Sequence, residues 1–245
     1  MYLNKKIKLK IAAIIPAFNE EKSIEGVVKD IGQVAAKSGY EIIPIVVNDC
    51  STDNTGVKID GLNCVAIHLP INLGIGGAVQ TGYRFALENN FDFAVQVDGD
   101  GQHPAEYIPF LYEALTNKKL DVVIGSRYLS KKGFQSSSAR RAGIKYFKWL
   151  NQLLTGLSIN DTTSGFRMLN KKALTYMTEN YPDEYPEPET IILYKKLNLS
   201  VSEIPVQMRA RQGGVSSINL VSSVYYMVKV SLAILFTQIR KIKIN

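Results

Sequence analysis

The first half of the chain alternates short apolar runs with amphipathic segments. Apolar runs bounded by turn residues are typical of strands buried on both faces of a sheet. The segments between them have the i, i+3, i+4 spacing of helices with one apolar face. The predicted strands are Ile11–Ile15, Glu41–Val47, Cys64–Leu69, Phe93–Val97 and Val122–Gly125. The predicted helices are Ser23–Ala36, Gly76–Glu88 and Pro104–Leu115.

This alternation predicts an α/β fold with a mostly parallel central sheet and helices on both of its faces. In sheets of this kind, ligands bind at the carboxyl ends of the strands. Polar clusters follow each of the five predicted strands, so we expect them to share one crevice.

A different pattern occupies residues 218–245. On a helix from Ile218 to Arg240, polar residues that include Lys229 form one stripe, and apolar residues form the opposite stripe. A membrane-spanning helix would be apolar all round and would lack a central lysine. We therefore expect a main domain over 1–217, followed by an amphipathic helix and a basic tail. That helix is expected to contact a membrane surface, a partner or the protein's own core.

Composition narrows the set of partners. The formal charge of +7 and the pI near 9.2 favour phosphorylated ligands or an anionic membrane. Nucleic acid is not expected, because no basic helix is interleaved with aromatic residues. Cys50 and Cys64 have neither metal-ligand nor disulfide spacing, and the first apolar run meets Pro16 too soon for a signal peptide. These features predict a cytoplasmic protein.

Two carboxylates follow the fourth predicted strand, in Asp98-Gly99-Asp100-Gly101. Strand geometry would send Asp98 and Asp100 to the same side, where both can bind Mg²⁺ or Mn²⁺ together with a nucleotide diphosphate. The same tetrapeptide is also typical of an ordinary turn. The tetrapeptide alone leaves both interpretations open.

A glycine cluster at Gly74, Gly76 and Gly77 lies between the third strand and the next helix. The next glycine is Gly82, so the spacing does not match a dinucleotide-binding loop. We interpret the cluster as a tight turn that allows close backbone approach, or as a simple helix start.

Six segments, in order along the chain, resemble motifs of the family 2 glycosyltransferases. The similarity is greatest to the branch that contains dolichol-phosphate mannose synthase and bacterial polyprenyl-phosphate sugar transferases. The resemblance implies a GT-A fold, a nucleotide-sugar donor and a divalent metal. The matching segments are Ile14–Glu20, Asn48–Asp53, Asn72–Ala78, Asp98–Pro104, Gly125–Tyr128 and Asp161–Arg167.

The resemblance also implies roles for individual residues. Asp98 and Asp100 match the positions around the metal and the diphosphate, and Gln102 and Arg127 match residues that line the donor and acceptor phosphates. Gly74 belongs to the motif beside the donor. The positions that hold the base and ribose are matched by Pro16, Phe18, Glu20 and Asp49.

A later glycine-rich segment resembles a loop that closes over the donor. It keeps Arg211 and Ser216 of that loop, which we therefore expect to contact the donor. Ser217 stands where the dolichol-phosphate mannose branch has a lysine. This departure favours a UDP-sugar over GDP-mannose.

The acceptor decides which further residues are needed. A lipid phosphate is largely ionised at neutral pH, so it needs cations to position it instead of a base. The candidate cations are Arg127, Arg140, Arg141 and Arg167. A sugar hydroxyl would need a carboxylate to take its proton. The candidate bases are Asp161, Glu187 and Glu189.

The sequence therefore predicts an inverting, metal-dependent enzyme that moves N-acetylglucosamine or glucose from UDP to a polyprenyl phosphate such as undecaprenyl phosphate. It would act at the cytoplasmic face of the membrane, in cell-surface polysaccharide synthesis. A small membrane protein and a second copy of the chain are possible partners. The alternatives are a transferase acting on a glycan hydroxyl and, in another class, a sugar nucleotidyltransferase.

Overall fold

The computed structural model describes residues 9–130, 138–209 and 220–242. Within these residues, seven strands form one sheet in the order β3-β2-β1-β4-β6-β5-β7. The strands are β1 Lys10–Ala17, β2 Glu41–Asn48, β3 Val65–His68, β4 Phe93–Gln96, β5 Val122–Ser126, β6 Arg167–Asn170 and β7 Val201–Pro205. The helices are α1 Ile24–Ser38, α2 Thr55–Asp60, α3 Gly74–Glu88, α4 Ile108–Asn117, α5 Ser138–Thr155, α6 Lys171–Asn180, α7 Pro186–Lys196 and α8 Leu220–Ile239.

The predicted mostly parallel sheet is confirmed. Strand β1 pairs in parallel with β2 and β4, β2 with β3, and β5 with β7. Strand β6 lies between β4 and β5 and runs antiparallel to both. The carboxyl ends of the parallel strands therefore meet at one edge of the sheet, together with the start of β6.

The central strands are continuously apolar because helices cover both faces of the sheet. In β1, Ile11 and Ile15 point into a core formed with α1 and α4, and Ile14 points into a core on the other face, formed with α3, α6 and α7. All three side chains are completely buried. Gly82 of α3 packs so closely on Ile14 that a Cβ there would lie 2.2 Å from the isoleucine Cγ2.

The predicted C-terminal helix is present as α8, and it packs on α5 and α7. Phe147 and Leu150 of α5, Ile192 of α7, and Val230 and Ile234 of α8 form a separate apolar cluster. Within the described residues, no helix has the length and apolar character needed to cross a membrane. The division of the chain at 217 and 218 stays a prediction, since both residues lie outside the described ranges.

Candidate active site

A cleft opens at the carboxyl ends of β1, β2 and β4, beside the first turn of α3. Of the five polar clusters expected to share one crevice, those after β1, β2, β3 and β4 contribute lining residues, and the cluster after β5 does not. Six of the residues singled out from the sequence line it: Pro16, Phe18, Glu20, Asp49, Asp98 and Asp100.

Hydrogen bonds hold the loops after β1 and β2 together. The Asn19 N–H donates to Ser51 Oγ at 3.0 Å, the Thr52 N–H to Asn19 Oδ1 at 2.8 Å, and the Glu20 N–H to Thr55 Oγ1 at 2.8 Å. This bracing leaves the ring of Phe18 47% exposed at the rim of the cleft. An exposed aromatic face on a fixed loop is suited to stacking against a flat ring.

Asp49 connects the end of β2 to the start of α3. Its Oδ1 accepts the N–H of Leu73 at 2.7 Å, and Asn72 Nδ2 donates to its backbone carbonyl at 3.1 Å. The glycine cluster is both a helix start and a turn that allows close backbone approach. Helix α3 begins at Gly74, which has a φ of 76°, and a Cβ on Gly76 would lie 2.2 Å from the carbonyl oxygen of Asp183.

The Asp98–Gly101 segment is both a turn and part of the cleft. The Gly101 N–H points to the carbonyl of Asp98 at 3.4 Å, and Gly101 has a φ of 77°. A Cβ on Gly99 would lie 3.0 Å from the carbonyl oxygen of Pro16. Asp100 is 4% exposed, and its Oδ1 accepts the Gln102 N–H at 2.9 Å. This turn presents both carboxylates to one cavity, but through turn geometry instead of a continued strand.

Buried polar side chains fix the orientation of Asp98. Gln96 Nε2 donates to Asp98 Oδ1 at 3.1 Å, and the Tyr181 hydroxyl donates to Gln96 Oε1 at 3.2 Å. His103 Nδ1 accepts the Asp98 backbone N–H at 3.0 Å, so the neutral ring carries its proton on Nε2, 3.5 Å from Asp98 Oδ2. The His103 ring stacks on Phe166. Gln96 and Tyr181 lie outside the six motif segments, and only the fold brings them to Asp98.

The two aspartates fit a divalent cation that is shared with a substrate. Carboxylate oxygens suit Mg²⁺ and Mn²⁺, and Mg²⁺ commonly takes one or two protein carboxylates and fills its other positions with phosphates and water. Within the described ranges, no group of three His, Cys, Asp or Glu side chains would enclose an ion without such a substrate. Asp98 and Asp100 are therefore suited to an ion that binds together with a diphosphate.

Arg127 and Asp161 form a buried ion pair beside the cleft. Arg127 Nε and Nη2 donate to the two carboxylate oxygens, each at 2.7 Å, and the Arg127 backbone N–H donates to Oδ2 at 3.0 Å. Burial alone would lower the pKa of Arg127, but the hydrogen bonds and the charge of Asp161 raise it above its ordinary value. Asp161 is completely buried, whereas 15% of the Arg127 side chain is exposed.

The geometry does not support Asp161 as a general base. Both of its oxygens are held by Arg127, and its backbone N–H donates to Glu203 at 2.8 Å. A fully buried carboxylate with these partners has no path to an acceptor hydroxyl. We assign Asp161 a structural role, which is to hold Arg127 in place.

Arg167 was expected to bind an acceptor phosphate, and the structure places its side chain among internal partners. The side chain is 2% exposed. Its Nε donates to the carbonyl of Ser164 at 2.7 Å, and Nη2 donates to the carbonyls of Thr162 and Glu187 at 3.0 and 2.8 Å. Its Nη1 contacts the hydroxyls of Thr190 and Tyr194. With its donors used internally, Arg167 joins the loop before β6 to the first turn of α7.

Glu189 was a candidate base, and the structure places it against α8. It is 8% exposed and accepts a hydrogen bond from Thr237 Oγ1 at 2.9 Å. Glu187, two residues earlier on α7, faces the other way. Burial raises the pKa of Glu187; the positive charge of Arg167 opposes this rise and the negative charge of Asp98 adds to it. Of these two acids, Glu187 is the one near the cleft.

Some predicted site residues cannot be placed. Arg211 and Ser216 lie outside the described residues, as do the side chains of Arg140 and Arg141. Gln102 is placed by its backbone, since its carbonyl accepts the Arg209 N–H at 3.0 Å.

Comparisons with known proteins agree with this geometry. Residues 12–177 match the family described as glycosyl transferase family 2. The UDP-N-acetylglucosamine–dolichyl-phosphate N-acetylglucosaminyltransferase of Methanococcus voltae is 32% identical over 217 residues, which cover 80% of this chain and 84% of that protein. The undecaprenyl-phosphate mannosyltransferase of Micrococcus luteus is 30% identical over 168 residues, 65% of each chain.

A solved structure supports the fold. Glucosyl-3-phosphoglycerate synthase from Mycobacterium tuberculosis, in complex with Mn²⁺, UDP and glucosyl-3-phosphoglycerate, superposes with a TM-score of 0.68 at 20% identity. The match covers 94% of this chain and 80% of that one. The family match spans well over half of the chain, in the same region as the cleft. The chain belongs to glycosyl transferase family 2, and it is a glycosyltransferase with the GT-A fold.

Proposed function

We propose that this protein transfers a sugar, N-acetylglucosamine or glucose, from UDP to a polyprenyl phosphate such as undecaprenyl phosphate, with Mg²⁺ or Mn²⁺ and with inversion at the anomeric carbon. The proposal extends the family assignment to a donor, an acceptor and a metal. The relative from Methanococcus voltae, by its name, uses UDP-N-acetylglucosamine and a dolichyl phosphate. The nucleotidyltransferase alternative is dropped, because the family match is to transferases of sugars.

The charge of the cleft carries the proposal. Four carboxylates line it, those of Glu20, Asp49, Asp98 and Asp100, and no lysine or arginine is among its lining within the described residues. A nucleoside diphosphate is itself anionic, so it would be repelled from this surface without a counter-charge. A bound Mg²⁺ or Mn²⁺ would supply that charge and would stabilise the diphosphate as it leaves. The acidic lining therefore supports metal dependence.

The remaining lining residues suit the rest of a nucleotide. The exposed ring of Phe18 offers a stacking surface for the base. Asp49, tied to the first turn of α3, presents a fixed carboxylate to the same space. In this arrangement Gln96 and His103 keep Asp98 in one orientation before the donor binds.

A lipid phosphate acceptor removes the need for a base, because its oxygen is already ionised near neutral pH. This matches the structural roles of Asp161 and Glu189. Arg127, which keeps 15% of its side chain exposed and lies within electrostatic range of Asp98, is our candidate to position the acceptor phosphate. We place the reaction at the cytoplasmic face of the membrane, where such a lipid presents its phosphate, in the synthesis of cell-surface polysaccharide.

One observation favours a second candidate, transfer to a glycan hydroxyl. Glu187 is near Asp98, and burial raises its pKa toward the range in which a carboxylate can serve as a base. If the acceptor is a hydroxyl, E187Q should abolish turnover. If the acceptor is a phosphate, E187Q should retain most of it.

The deciding experiment measures nucleoside diphosphate release from a panel of UDP- and GDP-sugars with Mn²⁺, with and without undecaprenyl phosphate. We expect release from UDP-N-acetylglucosamine or UDP-glucose only when the lipid is present. In D100A, turnover should fall on the order of a hundred- to a thousandfold, since one metal ligand is lost. D60N is the control, because Asp60, the last residue of α2, forms an exposed pair with His68. Nucleoside diphosphate release at the same rate with and without the lipid, or release only from GDP-mannose, would contradict the proposal.

A further inference from the structure

Helix α8 packs in an unusual way, because much of its apolar surface faces outward. Val230, Ile234 and Thr237 pack on the body of the protein and are nearly or completely buried. The large apolar side chains on the other face are 45–77% exposed. They are Tyr225, Val228, Leu232, Leu235, Phe236 and Ile239.

Helix α5 extends this exposed surface. Trp149 and Leu153, one turn apart, are 58% and 65% exposed. The Tyr146 ring lies 6.1 Å from the Trp149 ring, and its hydroxyl is 3.0 Å from Ser231 Oγ of α8. The exposed side chains of the two helices therefore flank one junction. We call the combined surface of these eight side chains the α5–α8 face.

The charged residues that α5 and α8 themselves carry all have the same sign. Neither helix contains an aspartate or a glutamate, and together they carry five cations, Arg140, Arg141, Lys145, Lys148 and Lys229, followed by Arg240 and Lys241. Lys145 lies on the exposed side of α5 with Trp149, and Arg240 and Lys241 are exposed at the end of α8. The face is thus apolar in its centre and basic at its margins.

We propose that the α5–α8 face docks on an anionic lipid bilayer, with α8 lying in the plane of the surface. An apolar stripe bordered by cations matches the acyl boundary and the charged headgroups of such a bilayer. A second copy of this chain fits less well, because two identical faces would bring the cations of both copies together, and the exposed Glu184 is already paired with Lys229. A tryptophan at the margin is also typical of the membrane interface.

The position of α8 relates this face to the cleft. Lys229 of α8 pairs with Glu184 at 2.5 Å, in the segment between α6 and α7. The neighbouring carbonyl of Asp183 accepts the N–H of Gly76, in the first turn of α3 beside the cleft. A bilayer under the α5–α8 face would therefore lie close to the entrance of the cleft. The purpose of this docking rests on the proposed lipid acceptor, but the docking itself can be tested without a substrate.

The test uses the only tryptophan of the chain as a reporter. The 245-residue protein is mixed with vesicles of phosphatidylglycerol and phosphatidylcholine, or of phosphatidylcholine alone. With the anionic vesicles, we expect co-sedimentation and a blue shift of Trp149 emission, both weakened by added NaCl. Because each buried Leu or Phe side chain contributes strongly to partitioning, L232S/F236S should bind at least about tenfold more weakly.

F110S is the matched control, because Phe110 of α4 is 57% exposed but lies away from this face. It should bind like the wild type, and all three proteins should have the same thermal midpoint. Failure of the wild type to bind anionic vesicles, or unchanged binding by L232S/F236S, would overturn the proposal. A dimer in solution that L232S/F236S dissociates, without vesicle binding, would assign the face to a second copy. Vesicle binding without lipid-dependent sugar transfer would leave this inference standing and refute only the proposed function.

Discussion

The Arg127–Asp161 pair allows a quantitative test of the structural role that we assign to Asp161. In D161N, the two 2.7 Å hydrogen bonds between the charged groups become at most one, from the guanidinium to an uncharged amide oxygen, and a largely buried guanidinium is left without its counter-charge. Breaking a buried pair from one side costs about 3–5 kcal/mol. Since the amide keeps one acceptor oxygen, we expect a loss near the lower end, about 3 kcal/mol.

For a chain of 245 residues, this loss corresponds to a fall in the melting temperature of about 6–12 °C, at about 2–4 °C per kcal/mol. Thermal unfolding followed by circular dichroism measures it, and urea unfolding gives the free energy independently. D60N is the control: Asp60 and His68 form an exposed pair, which contributes about 1 kcal/mol or less.

A double-mutant cycle with R127Q separates the pair from other effects. If the two side chains stabilise the fold through each other, R127Q/D161N should cost less than the sum of the single variants, by about 0.5–3 kcal/mol. A melting temperature for D161N within about 2 °C of the wild type, combined with complete loss of turnover, would refute the structural role. That outcome would return Asp161 to the list of candidate bases.

Two further predictions concern buried polar contacts. Q96L removes the hydrogen bond that orients Asp98 and leaves the Tyr181 hydroxyl without its acceptor. Mn²⁺ binding in the presence of UDP, measured by electron paramagnetic resonance, should therefore weaken about ten- to a hundredfold. Unchanged binding would show that Gln96 does not position Asp98. Burial raises the pKa of Glu189, so its contribution to stability is fully present below its ordinary value of 4.5 and is lost as the pH rises through the raised value. E189Q keeps an oxygen that can accept the hydrogen bond from Thr237. Urea unfolding should therefore give E189Q and the wild type equal stability at low pH, and E189Q the higher stability at neutral pH. A stability difference that stays constant across pH would contradict the raised pKa of Glu189.

The sequence predicts the first five strands well because their patterns are local. The apolar runs of β1, β4 and β5 are buried on both faces, and β3 is partly buried, so period and length alone identify them. The short helix α2, with six residues, carries too few turns for a periodic signal. Strand β6 has four residues and runs antiparallel between two distant strands, which local pattern does not reveal.

Only the part of the site that depends on local sequence is predictable. Motif residues at strand ends reach the cleft because the sheet fixes where strands end, as for Asp49 and Asp98. The roles of Asp161 and Arg167 depend instead on hydrogen-bond partners up to 42 residues away, which include Arg127, Glu203 and Thr190. Glu187 and Glu189 are two residues apart on a helix, so they face different directions. Only the packing of α8 shows that Glu189 is the one turned away from the cleft.

The antiparallel direction of β6 has a consequence for how this fold can diversify. Neighbouring strands are about 4.8 Å apart, so inserting β6 separates the ends of β4 and β5 by about 10 Å. Because β6 runs the opposite way, the loop that enters it lies across this gap, with Gly165 so close to Gln96 that a Cβ would lie 2.5 Å from its Nε2. The loop therefore contacts both Arg127, through Asp161, and Gln96, through Gly165, so a change in its length or sequence would alter both sides of the site at once.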